Sequence, residues 1–396
     1  MTSPTRTPVP RAVWTLGFVS LLMDMSSEMV HGLLPVLLSS VLGASALSIG
    51  LIEGVSEALV LVTKTFSGYI SDAFGKRKPL VLLGYGLAAL TKPLFPMATG
   101  ISMVVTARLV DRFGKGIRGA PRDALIADVT SGDNRGAAFG LRQSMDTVGA
   151  VLGPLIAVVL LSYWVDDIRK VLWVAVIPAF LCVLLIIFGV TEPANTAKAA
   201  RLPITREGLR RLGRPFWIVA MVGGFLSLAR FSEAFLVLRG SQIGMSNAHV
   251  PLLMVVMSLV YSLSAYPVGL LADRMSRRGL LALGMIALAI ADIVLACVMS
   301  PTGVYIGVAV WGLHMGLTQG LLSAMVADAT PADYRGTGFG VFSLISGLAL
   351  LVASTVAGFM WDRLGSHLTF ETGAALSLVT LLAVALLPAQ AAARNR

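Results

Sequence analysis

The chain has 396 residues, of which 56% are hydrophobic and only 13% charged, and its mean hydropathy is +0.83. A water-soluble globule with a polar surface does not reach those values, so the composition specifies an integral membrane protein. The formal charge of +10 does not describe a nucleic-acid binder either, because Lys and Arg outside the apolar runs sit in short loops and no nucleic-acid motif occurs.

The first dozen residues, "MTSPTRTPVPRA", are polar and Pro-rich. The apolar run behind them is too long for a signal-peptide core and contains acids, so it reads as the first span. A spanning helix needs about 20 mostly apolar residues. That rule predicts an all-α integral membrane protein with twelve transmembrane helices, near 13–40, 46–72, 79–98, 101–126, 136–163, 170–190, 215–238, 247–273, 279–299, 302–327, 337–361 and 367–388. Cys182 and Cys297 fall inside apolar runs, and His31, His249, His314 and His367 are scattered. Neither a disulfide, a metal site nor a cofactor is expected.

The loop cations fall on two unequal sides. One has Arg6, Arg11, Lys76, Arg77, Lys78, Arg135, the bases from Lys198 to Arg214, then Arg274, Arg277, Arg278, Arg335, Arg394 and Arg396; the other has Arg169, Lys170, Arg239 and Arg363. The positive-inside rule then predicts a multi-pass protein of the cell inner (cytoplasmic) membrane with both termini cytoplasmic. The one long polar connection, residues 191–214, is the predicted cytoplasmic linker between an N-terminal six-helix bundle (1–190) and a C-terminal one (215–396).

The halves repeat. "ADVTSGDNRGAAFG" from Ala127 returns as "ADATPADYRGTGFG" from Ala327, and "GYISDAFGKRK" from Gly68 returns as "GLLADRMSRRG" from Gly269. Two motifs recurring at nearly one offset indicate duplication, and parallel repeats of six helices imply two pseudo-symmetric bundles around a central pathway.

At these residues the chain resembles the major facilitator superfamily over nearly its whole length. The loop signature of that family is matched by Gly68, Asp72, Gly75, Lys76, Arg77 and Lys78, with Ala73 where a base is usual, and by Gly269, Asp273, Arg274, Arg277 and Arg278, with Ser276 where Gly is usual. The resemblance implies a conformational latch in which the Asp docks against a neighbouring helix end. "RFGKG" (Arg112 to Gly116) is similar to a fourth-helix pattern of drug/proton antiporters, and "GAVLGP" (Gly149 to Pro154) to their fifth-helix signature, although "LIAV" follows where a glycine pair is usual. Physically, Gly149 and Gly153 form a small-xxx-small packing face and Pro154 a pliable point.

The segment 106–129 poses the main chemical question, since Arg108, Arg112, Lys115, Arg118 and Arg122 lie between apolar runs. At about 100° per residue these positions share an arc of roughly 120°. Asp111 falls within it and Asp123 beside it. Asp24, Glu28 and His31 share another face, as do Glu53, Glu57 and Lys64, and as do Arg142, Asp146, Gly149 and Gly153. Charged stripes at bilayer depth must turn inward. In the second copy the five cationic positions become Val308, Gly312, Met315, Thr318 and Leu322, so the duplicated helix needs no cations to fold. His314 and Gln319 are its comparable polar groups, and Arg230, Glu233 and Asp292 lie on neighbouring spans.

The predicted function is secondary active transport by alternating access: proton-coupled antiport exporting a small organic solute, anionic or zwitterionic. No phosphate-binding loop points to ATP. Arg108, Arg112, Lys115, Arg142, His314 and Gln319 are the candidate substrate-binding residues, and Asp24, Glu28, Glu57 and Asp146 the candidate proton carriers, beside Arg112. Partners are a small-molecule solute, protons and the lipid bilayer, with a monomer as the functional unit and no nucleic acid. Mid-span aromatics look sparse, Trp311 being the main one, which disfavours a large flat drug. Alternatives are proton-coupled uptake of a small organic anion or chelate, and a transporter-like membrane sensor. An enzyme is not expected, for no nucleophile–base pair or metal cluster is visible.

Overall fold

A computed structural model describes residues 10–130, 135–164, 167–191, 204, 206–272, 275–331 and 334–385. Among them no strand occurs. The helices are α1 (Arg11–Val36), α2 (Ala46–Phe74), α3 (Lys78–Thr91), α4 (Leu94–Met97), α5 (Ile101–Asp128), α6 (Arg135–Tyr163), α7 (Ile168–Gly189), α8 (Arg206–Arg211), α9 (Arg214–Ala229), α10 (Ala234–Gln242), α11 (Leu252–Ala272), α12 (Arg277–Cys297), α13 (Pro301–Ala329), α14 (Arg335–Leu364) and α15 (Ser366–Ala385). α1 runs on through a π-turn at Leu37–Val41.

Ten helical stretches among the described residues are long and apolar enough to cross a membrane. α5 and α13 have the length but fall outside that set. α5 is laden with charge, and α13 is diluted by glycines, His314 and Gln319. The sequence signal of α5 is therefore a polar stripe of period 3.6 rather than hydropathy.

Two predicted helices are interrupted. The span at 79–98 loses its hydrogen-bond ladder at Lys92 because Pro93 has no N–H to donate; Lys92 itself keeps helical backbone, so α3 ends in a turn and α4 follows. The span at 215–238 breaks over Arg230–Glu233 without a proline. There the Ser232 N–H leaves the helix ladder to donate to Ser354 Oγ (3.1 Å), while Ser232 Oγ accepts from the Ala234 N–H (3.2 Å). The predicted linker contains the short helix α8, while its residues 192–203 and 205 lie outside the described residues.

The chain separates into two compact units, one of Met1–His31 with Leu59–Leu202, the other of Gly32–Ala58 with Pro203–Arg396. In the first, Val19 and Met23 of α1, Val81, Tyr85 and Ala88 of α3, and Ala179, Cys182 and Ile186 of α7 form a buried cluster. Apolar side chains such as Leu90, Ile177 and Phe188 stay exposed on the outside of α3 and α7, as a surface against lipid requires. In the second unit the first half of α2 lies against α14. Gly50 and Gly358 have no room for a Cβ beside the Ser354 and Ala46 carbonyls, and Gly54 sits beside Leu351. Close approach through small residues is the usual way to join helices in lipid.

Arg239, expected in a loop, is instead buried in α10. Its guanidinium donates to the Leu295 carbonyl (2.9 Å), Gln242 (3.0 Å) and Ser366 Oγ (3.0 Å), closing the last turn of α12.

Candidate functional site

The polar stripe of α5 points into the first unit. Arg108, Asp111, Arg112 and Arg118 are buried and Lys115 is half-buried, while Phe113 on the opposite face is exposed. Asp111 is the hub of the upper part. Its Oδ1 accepts from Lys92 Nζ (2.9 Å), which also donates to Ser27 Oγ (3.1 Å), and its Oδ2 lies 3.7 Å from Arg112 Nε. Lys92 was not among the residues expected here. Its one sequence signal is a lone lysine inside the third apolar run, just before Pro93.

About two turns further along, the Arg118 guanidinium lies 4.3 Å from the centre of the Tyr85 ring, a cation–π contact. Arg122 donates to Ser20 Oγ (2.9 Å), Tyr85 Oη (3.3 Å) and Asp123 Oδ1 (3.2 Å). Asp123 Oδ1 also accepts from Arg142 (2.9 Å), whose other nitrogen reaches Asp146. α5 and α6 are thus joined through alternating charges.

The two notches in α6 seat the acids of α1. A Cβ at Gly149 would fall 3.2 Å from Asp24 Cβ, and one at Gly153 3.1 Å from Glu28 Cβ and 2.5 Å from the Met25 carbonyl. Pro154, the next residue, lies inside α6. Glu28 Oε2 is 3.4 Å from His31 Nδ1. The first unit therefore brings together Asp24, Glu28, Arg108, Arg112, Lys115, Arg142 and Asp146.

The remaining candidates belong to the second unit: Glu57 on the first half of α2, half-buried, and His314 and Gln319 on α13. His314 is buried with Nδ1 at the Gly284 carbonyl (2.8 Å), and Gln319 accepts from Tyr261 Oη (3.2 Å). Aromatics are less sparse than expected, because Phe231, Phe235, Trp311, Trp361 and Phe370 gather from four different segments into one cluster of this unit. Their spacing along the chain hides the cluster from a span-by-span reading.

The repeated loop motif has a shared geometry. Gly75 ends α2 with φ 63°, a left-handed conformation that favours glycine. A Cβ at Gly68 would touch Ala120 (3.3 Å), whereas one at Gly269 would meet nothing within 4 Å among the described residues. Arg77 is buried, donating to Asp128 Oδ2 (3.1 Å) and Ser71 Oγ (2.8 Å), and in the second copy Arg277 pairs with Asp328. Each pair joins the loop base to the last turn of the helix before the other motif. The Asp72 side chain, and Asp273 and Arg274, lie outside the described residues.

A family model described as Major Facilitator Superfamily matches residues 16–242 and 231–396. An uncharacterised MFS-type transporter of Methanocaldococcus jannaschii is 31% identical over 378 residues, which are 93% of this chain and 92% of that one. The multidrug resistance protein MdtH of Photorhabdus laumondii is 31% identical over 218 residues, 54% of this chain and 52% of its own length. The crystal structure of a D-xylose-proton symporter matches in fold with a TM-score of 0.77 at 15% identity, over 96% of this chain and 98% of that one. A membrane chain with duplicated halves, a repeated loop motif and these relatives is a transporter rather than an enzyme, and it belongs to the major facilitator superfamily.

Proposed function

We propose that this protein is a proton-coupled antiporter that exports a small anionic or zwitterionic organic solute across the cell inner membrane. Twelve spans form two six-helix bundles, 1–190 and 215–396, joined by the cytoplasmic linker 191–214. Both termini are cytoplasmic, and a single chain alternates access by rocking one bundle against the other.

One observation carries this reading: the charge network of α5 and α6 is buried without being saturated. Arg118 Nη1, Arg142 Nε and Asp146 Oδ1 are buried and make no hydrogen bond among the described residues. A purely structural lattice would use those positions, because unpaired buried polar atoms are costly. A network that exchanges partners with a solute anion and a proton leaves them available. Arg108, Arg112, Lys115 and Arg142 hold the solute, with His314 and Gln319 contributing from α13. Asp24, Glu28, Glu57 and Asp146 carry the proton, and the loop residues Gly68, Asp72, Gly75, Arg77, Gly269, Asp273 and Arg274 form the latch. Export is supported by the drug/proton-antiporter-like patterns at Arg112–Gly116 and Gly149–Pro154 and by the multidrug-resistance relative.

The test is flux in proteoliposomes under an imposed pH gradient, after a ligand-stabilisation screen of anionic metabolites, siderophore-like chelates and drugs. Arg112→Gln is expected to abolish flux while the protein stays folded, and Asp24→Asn with Glu28→Gln to uncouple flux from the gradient. Wild-type flux in the first removes Arg112 from the site, and unchanged pH dependence in the second refutes the proton carriers. Flux in the direction of proton entry identifies uptake instead.

A further inference from the structure

Asp292 stands five residues before the end of α12, fully buried, and neither carboxylate oxygen makes a hydrogen bond or an ion pair among the described residues. An ionised carboxylate without a partner at membrane depth is among the costliest arrangements a fold can hold, whereas a neutral acid there is tolerable. The surroundings are built to that side chain. On α15 a Cβ at position 373 would fall 2.6 Å from Asp292 Oδ2 and 2.9 Å from the Phe231 ring, so Gly373 leaves the space that the carboxyl fills.

Among the described residues no group of three or more His, Cys, Asp or Glu could hold a metal ion, and a proton needs no such group. Phe231, whose ring borders the same position 373, lies in the break where α9 has stopped at Ala229 and α10 has yet to start at Ala234. It packs 5.4 Å from Trp311, 5.4 Å from Phe235 and 5.6 Å from Phe370 between ring centres. Trp311 Nε1 is itself buried with no acceptor among the described residues. A broken span can bend at its break without losing ladder hydrogen bonds, which makes Phe231 the movable side of this enclosure.

The titratable groups on the packed elements do not neutralise the acid. α10 brings buried Arg239, held at the Leu295 carbonyl; α13 brings His314, held at the Gly284 carbonyl, and Tyr305, bonded to the His249 carbonyl; α15 brings the exposed pair His367 and Glu371; the break is flanked by Arg230 and Glu233; α11 brings Tyr261, bonded to Gln319; and Arg277 and Arg278 stand at the far start of α12. None bonds Asp292.

We propose that Asp292 is a proton-binding site of the second repeat, closed by Phe231 at the α9–α10 break and opened when that break moves. On opening, the carboxylate exchanges one proton with water. This site is separate from the acids of the first repeat on which the antiport reading rests.

Infrared spectra of the purified full chain in lipid, with 13C-labelled aspartate, test it. Near neutral pH they should show a protonated-carboxyl C=O band that Asp292→Asn removes and that shifts slowly in D2O. Phe231→Ala should keep the band and speed its exchange by about tenfold. A band unchanged in Asp292→Asn, or no aspartic-acid band at all, overturns the proton site. Unchanged exchange in Phe231→Ala overturns the cover. Asp292→Glu, which moves the band to the unlabelled frequency, serves if the Asn variant does not fold. No transported solute enters this readout, so its outcome is independent of the antiport reading.

Discussion

Asp111 answers to two cations at once, and that asymmetry makes the first unit testable residue by residue. Lys92 is its near partner at 2.9 Å and Arg112 the farther one at 3.7 Å, all three buried. Lys92→Met leaves Asp111 with Arg112, whereas Asp111→Asn takes the carboxylate away from both cations. Breaking a buried pair by removing one member costs about 3–5 kcal/mol. Asp111→Asn is therefore expected to lower the unfolding temperature more than Lys92→Met, and the double variant to recover part of the loss. Equal effects of the two single changes would mean that Arg112 draws nothing from Asp111. The sequence makes Asp111 and Arg112 legible, because a 3.6 period places them on one stripe. It conceals Lys92, since a lone lysine before a proline looks like the end of a span, and its partner is 19 residues away on another helix.

At the scale of helices, hydropathy and period locate the elements, while chain breaks and contacts depend on chemistry that neither measures. The break at Pro93 has a residue-level cause in the sequence. The one at Arg230–Glu233 rests on Ser232 reaching Ser354, 122 residues on, and leaves no local mark. The pairs Arg77–Asp128 and Arg277–Asp328 emerge only from the fold: the aspartates recur 200 residues apart, but overlaying Gly68 on Gly269 puts Arg278 at Arg77 and Arg277 at Lys76, so the second pair uses the neighbouring base. The glycine face of α6 was legible as spacing, but not the acids that it seats. Its consequence is a paired prediction. Gly153→Ala puts a methyl 2.5 Å from a backbone carbonyl of α1, which cannot yield as a side chain would, and should destabilise by about 1–3 kcal/mol. Gly86→Ala on α3 meets nothing within 4 Å and should stabilise by about 0.5–1 kcal/mol through helix propensity. Thermal unfolding of both variants separates them; if both are stabilised, α1 and α6 do not pack through that notch.

For the molecule as a whole, the decisive contact is one that joins the first repeat to the second. Asp362, near the end of α14, accepts from the Ala46 N–H and the Leu47 N–H, both at 2.9 Å, and so caps the start of α2 from 316 residues away. A carboxylate at a helix N-terminus gains from the unpaired N–H groups and the helix dipole together. The contact borders a cavity of about 360 Å³ lined by Ser39, Ser45, Gln242, Trp361 and Asp362, where Ser45 is exposed. Under the proposed alternating access, α2 and α14 part here at one stage of the cycle. Asp362→Asn keeps the shape but gives up the charge and one acceptor, a loss of about 1–2 kcal/mol. That loss favours the parted state by about tenfold. A cysteine placed by Ser45→Cys, in a background lacking Cys182 and Cys297, should then react with a membrane-impermeant maleimide about tenfold faster in the Asp362→Asn protein. If the labelling rates are the same with Asp and with Asn at 362, the cap does not hold this end closed, and the glycine contacts of α2 with α14 alone set the barrier.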